Sequence, residues 1–182
     1  MTVRPAREAD VPAMLAVYAP FVRDTAVSFE DEVPTVEAFA ARVAEVQRTH
    51  AWLVLERQGA VAGYAYGAPH RARSGYRWSV ETSVYVGPDH QRQGVARALY
   101  DALLAGLEAQ GFRRALAGIT VPNEASVAFH RACGFVDVGV YRAVGRKLGR
   151  WHDVLWLQRP LGDPDRPLRE PEIPDGRPPG AR

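Results

Sequence analysis

The segment from Val84 to Leu104 constrains this chain more than any other. It reads Val84-Tyr85-Val86-Gly87-Pro88-Asp89-His90-Gln91-Arg92-Gln93-Gly94-Val95-Ala96 and continues into a Leu/Ala-rich stretch with apolar residues at Val95, Leu99, Leu103 and Leu107. A β-branched run followed by a turn and then by helical spacing predicts a strand feeding an amphipathic helix. The first backbone N–H groups of a helix have no intrahelical acceptor and point outward, so such a junction cradles an anion. Gly94 lets the main chain approach a bulky anion where a Cβ would collide. Arg92 adds a permanent positive charge that can grip phosphate through two bonds. The junction therefore predicts a phosphorylated cofactor held mainly by backbone.

Around it the pattern is regular. Strands are expected near residues 3–6, 52–56, 61–66, 78–86, 115–121, 136–141 and 153–157, with a Gln58-Gly59 hairpin turn joining the second and third. Helices are expected from a cap at Asp10 to about residue 22, from Pro34-Thr35 onward, from Gly94 to about 110, and from Asn123 to about 133. The order β-α-α-β-β-β-α-β-α-β-β gives an α/β (α+β) class, a mixed sheet with helices on both faces. Within residues 78–86, Val80, Thr82, Val84 and Val86 share one face, and Glu81, Ser83 and Tyr85 the other. Glu81 is a carboxylate on an interior strand, costly to bury unless paired or used. Partial burial would raise its pKa towards a range suited to proton abstraction. The competing reading is an edge-strand glutamate facing water, and pattern alone leaves both open.

At 182 residues the chain suits one domain with a full core. A net charge of +2, with the basic residues scattered, gives no electrostatic case for nucleic acid. No run approaches membrane-spanning length and no apolar leader follows Met1, so a cytoplasmic protein is expected, with no membrane partner. Cys133 is the single cysteine, which rules out an internal disulfide and fits a reducing compartment. The five histidines have no paired spacing typical of zinc, and no metal is expected. Residues 160–182 hold seven of the 14 prolines and few large apolar side chains, which predicts a flexible or docked extended tail, or more sharply a polyproline recognition motif.

Gln91-Arg92-Gln93-Gly94-Val95-Ala96 resembles the Gln/Arg-x-x-Gly-x-Gly/Ala loop of the GNAT N-acetyltransferases, with Ala96 in place of the more frequent glycine. Asn123, Ser126, Phe129, His130, Gly134 and Phe135 resemble the second conserved helix of that superfamily, with His130 where most members carry tyrosine. Ser28-Phe29-Glu30, Arg71-Ala72-Arg73, Tyr76, Trp78, the run from Val80 to Val86, Pro122-Asn123 and Lys147-x-Gly-x-Trp151-x-Asp153-Val154 narrow the match to the phosphinothricin N-acetyltransferase group. The resemblance covers about residues 2–159, giving a domain over 1–159 and a Pro-rich tail over 160–182.

The resemblance implies the acyl-CoA N-acyltransferase fold, a mixed, mostly antiparallel sheet splayed between its fourth and fifth strands. Acetyl-CoA would lie in that cleft, its pantetheine against the main chain at Val84 and Val86. Its pyrophosphate would meet the backbone of Gln91, Arg92, Gln93, Gly94, Val95 and Ala96, and its pantetheine arm would reach Asn123 and Ser126. Glu81 falls at the position of the proposed general base. His130 would protonate the departing thiolate, relay a proton or orient the cofactor; Tyr85 and Tyr141 are reserve acids. Phe29, Arg71, Arg73 and Tyr76 match positions around a small amino-acid acceptor such as phosphinothricin, methionine sulfoximine or methionine sulfone. Against this, the bland reading makes either arginine a surface charge on a loop. Trp151 borders the acceptor or an interface, since the group forms homodimers.

Three alternatives stand beside that reading. A Cys133–His130 pair on one helix face would make an acyl-enzyme. The same fold can acetylate a protein N-terminus or a polyamine, although Arg71 and Arg73 disfavour a polycation. A non-catalytic CoA sensor would not need Glu81 and His130 together.

Overall fold

A computed structural model describes residues 1–163 and 165–172. Seven strands form one sheet: β1 (Thr2–Pro5), β2 (Trp52–Arg57), β3 (Ala60–Pro69), β4 (Ser79–Val86), β5 (Arg114–Val121), β6 (Val136–Lys147) and β7 (Arg150–Pro160). Four helices cover it: α1 (Val11–Asp24), α2 (Val36–Gln47), α3 (Val95–Gln110) and α4 (Glu124–Ala132). The element order is the one expected from the sequence pattern. The strands lie in the order β1-β2-β3-β4-β5-β7-β6, antiparallel throughout except for β4 and β5. That parallel pair needs a crossover, and α3 supplies it.

Strand alternation divides the core. On β2, Leu53 and Leu55 join Val80, Leu99, Leu103 and Leu107 under α3, while Trp52 and Val54 join Met14, Tyr18, Phe39 and Val43 under α1 and α2. A one-residue slip of β2 would exchange the two sets, so burial of both faces fixes the register.

Two local expectations are revised. Asp10 does not cap α1 with its side chain; its carboxylate accepts from Arg7 N at 2.7 Å and takes the Arg4 guanidinium at 2.7 and 2.8 Å. The Arg4 bonds hold that carboxyl below the usual range, so it ties β1 to the start of α1 as an ion pair. β6 and β7 also extend beyond residues 136–141 and 153–157, because the ladder continues to Lys147↔Arg150 across an irregularity between Tyr141 and Gly145.

The described part of the tail is docked. Leu161 is buried, Trp78 Nε1 donates to Arg169 O at 2.8 Å, Arg77 pairs with Glu170 at 2.6 Å, and Glu172 N reaches Gln110 O at 2.7 Å. These contacts are those of the docked alternative for 161–163 and 165–172, and the remainder of the tail lies outside the described residues. No helix among the described residues is long and apolar enough to cross a membrane.

Candidate active site

The sheet opens between β4 and β5. Their ladder holds only Ser79↔Arg114, Val80↔Ala115 and Glu81↔Leu116. At the next residue the Thr82 hydroxyl donates to Leu116 O at 3.2 Å, and no pair beyond it joins β4 to β5 among the described residues. From Thr82 to Val86, β4 keeps β3 on one side and faces a gap on the other. Backbone groups directed into such a gap need a partner, and a peptide-like chain can supply it. Val84 and Val86 line this stretch, their side chains packed towards the α3 core.

The loop from Gln91 to Gly94 is exposed and ends at the start of α3. Gly94 has φ +80° and nothing within 4 Å of a notional Cβ, so glycine is required for conformation and open space lies beside it. Arg92 also takes a positive φ of 56°. Gln93 turns inward: its amide donates to Asp89 O at 2.7 Å and its carbonyl accepts from Arg57. Val95 is buried, Ala96 is half-buried, and the first helical bond runs from Ala98 N to Gly94 O. The N–H groups ahead of it are those an anion can use.

Glu81 stands at the apex of the fork, on the α1 face. Its side chain is 37% exposed, and it accepts a hydrogen bond from His70 Nδ1 at 2.7 Å. The carboxylate is therefore the partly buried, paired residue that the pattern allowed, not the edge residue facing water. His70 packs edge-on against Tyr76 at 5.7 Å and Trp156 at 5.8 Å, and Arg71 lies 5.9 Å from the Tyr76 ring centre. Arg73 is exposed at the entry to the turn carrying Tyr76. Glu81, Arg71 and Tyr76 are thus brought to one region.

His130 lies across the strand. Thr82, on the α3 face, is 3.2 Å from the Tyr100 hydroxyl, which is 2.8 Å from His130 Nε2. His130 Nδ1 is 2.8 Å from Ser126 O. A carbonyl can only accept, so Nδ1 carries the proton. Burial lowers the imidazole pKa, opposed in part by the Ser126 bond. The Tyr100 hydroxyl, which donates to Thr82 Oγ1, stands against Nε2 and links β4 to the helix that carries His130. Asn123 accepts from Ser126 N at 3.2 Å and so caps the helix that presents this set.

Phe29 lies over Gly145 of β6, where any Cβ would clash with the edge of the ring, and 6.1 Å from the His152 ring. Lys147 fixes the loop that carries it, its buried ammonium donating to Val22 O at 2.6 Å, Ser28 O at 2.8 Å and Glu30 O. Tyr85 packs among Tyr18, Phe21 and Tyr64, and burial pushes its hydroxyl well above the ordinary range. Tyr141 and Trp151 are exposed on β6 and β7, at 48% and 63%, and Tyr141 packs at 5.9 Å on Trp156, the ring that also meets His70. Cys133 is buried, which pushes its thiol up, and both His130 nitrogens have other partners. The Cys–His nucleophile is excluded on that geometry.

Sequence reasoning missed His70 and Tyr100. The β3–β4 register, with Pro69↔Val80 and Ala68↔Glu81, puts residue 70 beside Glu81, but pairing is not visible in one sequence. Tyr100 had a signal: a phenol in a Leu/Ala helix buries a hydroxyl that needs a partner.

A family profile described as an acetyltransferase (GNAT) domain matches residues 3–156. The chain is 41% identical to a phosphinothricin N-acetyltransferase of Streptomyces viridochromogenes over 92% of each chain. It is 36% identical to an L-methionine sulfoximine/L-methionine sulfone acetyltransferase of Salmonella typhimurium, over 90% of this chain and 96% of the other. A Sinorhizobium meliloti phosphinothricin acetyltransferase solved with AcCoA superposes with a TM-score of 0.89 at 35% identity, covering 96% of each chain. With the forked sheet and the glycine-opened helix, these matches establish that the chain belongs to the GNAT acetyltransferase family.

Proposed function

We propose that this enzyme moves the acetyl group of acetyl-CoA to the α-amino nitrogen of phosphinothricin, methionine sulfoximine, methionine sulfone or a related amino acid, by direct attack with Glu81 as general base. One observation carries the reading: the only carboxylate on β4 sits where β4 and β5 part, half-open to solvent. Acetyl-CoA, when bound, supplies a thioester whose C–S bond is exchanged for a C–N bond.

The chain's residues divide the work. Unpaired backbone of β4 around Val84 and Val86 would hold the pantetheine, and the N–H groups from Gln91 to Ala96 with the Arg92 guanidinium would hold the pyrophosphate. Asn123 and Ser126 would border the pantetheine arm. Glu81 takes a proton from the acceptor's ammonium, freeing the lone pair that forms the C–N bond. Arg71 and Arg73 would grip the acceptor's carboxylate or phosphinate, with Phe29 and Tyr76 as walls. His130 orients, since Nδ1–H goes to Ser126 O and Nε2 is held against the Tyr100 hydroxyl. We also infer a homodimer through β6, whose exposed Val136, Val138, Val140 and Val144 form an apolar sheet edge beside Trp151.

CoA release measured with phosphinothricin, methionine sulfoximine, methionine sulfone and a peptide N-terminus tests the acceptor class. Turnover with the amino acids is expected, and turnover with the peptide alone would replace it by a protein acetyltransferase. Glu81→Gln should depress kcat far more at neutral than at high pH, where the amine loses its proton unaided. A profile like the parent's would remove Glu81 from the mechanism. Arg73→Ala should raise the acceptor KM without changing acetyl-CoA binding.

A further inference from the structure

We propose that His70 is the positioning residue of the base, holding one oxygen of Glu81 so that the other is presented to the acceptor's ammonium; this rests on the reading of Glu81 as base. An ionised carboxylate only accepts, so the proton in the 2.7 Å contact belongs to His70 Nδ1. The two side chains differ in freedom: Glu81 is 37% exposed, whereas His70 is 12% exposed and wedged between Tyr76 and Trp156. A glutamate with that much solvent access samples several rotamers unless something stops it. The fixed imidazole stops it, with a bond to Oε1 that leaves Oε2 unengaged by His70.

One consequence follows from this geometry. Losing the bond frees the carboxylate to turn, and misplacement of a catalytic group by about an ångström costs up to ~100-fold in rate. The other titratable or charged groups described about the pair are Tyr66 on β3, and Arg71 and Tyr76 in the connection from β3 to β4; β7 contributes Trp156, which does not titrate.

The test compares His70→Phe, which keeps a ring between Tyr76 and Trp156 but removes the donor, with His70→Asn, whose amide can replace Nδ1–H. The acceptor is whichever of phosphinothricin or methionine sulfoximine turns over with the parent enzyme, and Glu81→Gln is run alongside. For His70→Phe, kcat should fall roughly tenfold. Acetyl-CoA affinity should be unchanged within about twofold. His70→Asn should recover most of the lost kcat. Parent-like kinetics in His70→Phe beside a crippled Glu81→Gln would overturn the role of His70 and leave the base standing. Equal losses in both His70 variants would make the ring a wall and nothing more, also overturning it. Parent-like Glu81→Gln would instead bring down the reading of Glu81.

Discussion

The Tyr100 hydroxyl lies 2.8 Å from His130 Nε2, and both side chains are buried, joining α3 to α4 behind the strand that carries Glu81. Tyr100→Phe removes one oxygen and keeps the ring, leaving Nε2 and the Thr82 hydroxyl oxygen without their shared partner. An unsatisfied buried polar group costs about 1–3 kcal/mol. Urea denaturation should therefore show a loss in that range, and kcat should drop severalfold while the acceptor KM holds. Unchanged stability would mean that the hydroxyl contributes nothing to the pair.

The Phe29 ring on Gly145 predicts a change confined to the acceptor side. Gly145→Ala puts a methyl group where the ring lies, so Phe29 must swing away. The acceptor KM should rise several-fold with acetyl-CoA binding unaltered. A parent-like acceptor KM would show that Phe29 is no wall of that pocket.

Lys147 predicts a larger effect on stability. Its ammonium meets three carbonyls, those of Val22, Ser28 and Glu30, one for each N–H, and thereby ties the β6–β7 hairpin to the end of α1 and the Phe29 loop. Lys147→Met keeps most of the stem and strips the carbonyls of their donor, at about 3 kcal/mol or more. The melting temperature should fall by several degrees. A parent-like melt would mean that water replaces the ammonium without cost.

What the sequence disclosed follows from what local pattern encodes. Alternation on β4 separated Glu81 from Val80 and Thr82 correctly, because parity depends only on the strand itself. Helical spacing located α3, and the left-handed glycine its start. The fork is different in kind. It is a place where pairing stops, and nothing in Thr82 or Ala117 taken singly announces that they part. His70 beside Glu81 depends on antiparallel register, and Tyr100 beside His130 on the packing of two helices far apart in sequence. Asp10 misled for the opposite reason, since a cap signal and an ion pair to Arg4 use the same carboxylate.

His50 gives the fold a predictable acid limit. It is buried at 7% exposure, stacked on Phe112 at 5.1 Å, with Nδ1 2.8 Å from Thr49 Oγ1. Burial lowers its pKa from 6.5 to about 4. Between those values the unfolded chain binds a proton that the folded chain refuses, so stability falls as pH falls from about 6.5 towards 4. The shift corresponds to about 3 kcal/mol over the whole window, at 1.36 kcal/mol per unit. His130, also lowered by burial, adds to the loss with the same sign. Unfolding free energies from urea titrations at pH 7 and pH 5 should differ by about 2 kcal/mol from His50 alone. His50→Gln should flatten that dependence while costing some stability at pH 7 through the lost stack on Phe112. An equally steep fall in His50→Gln would show that the acid sensitivity arises elsewhere.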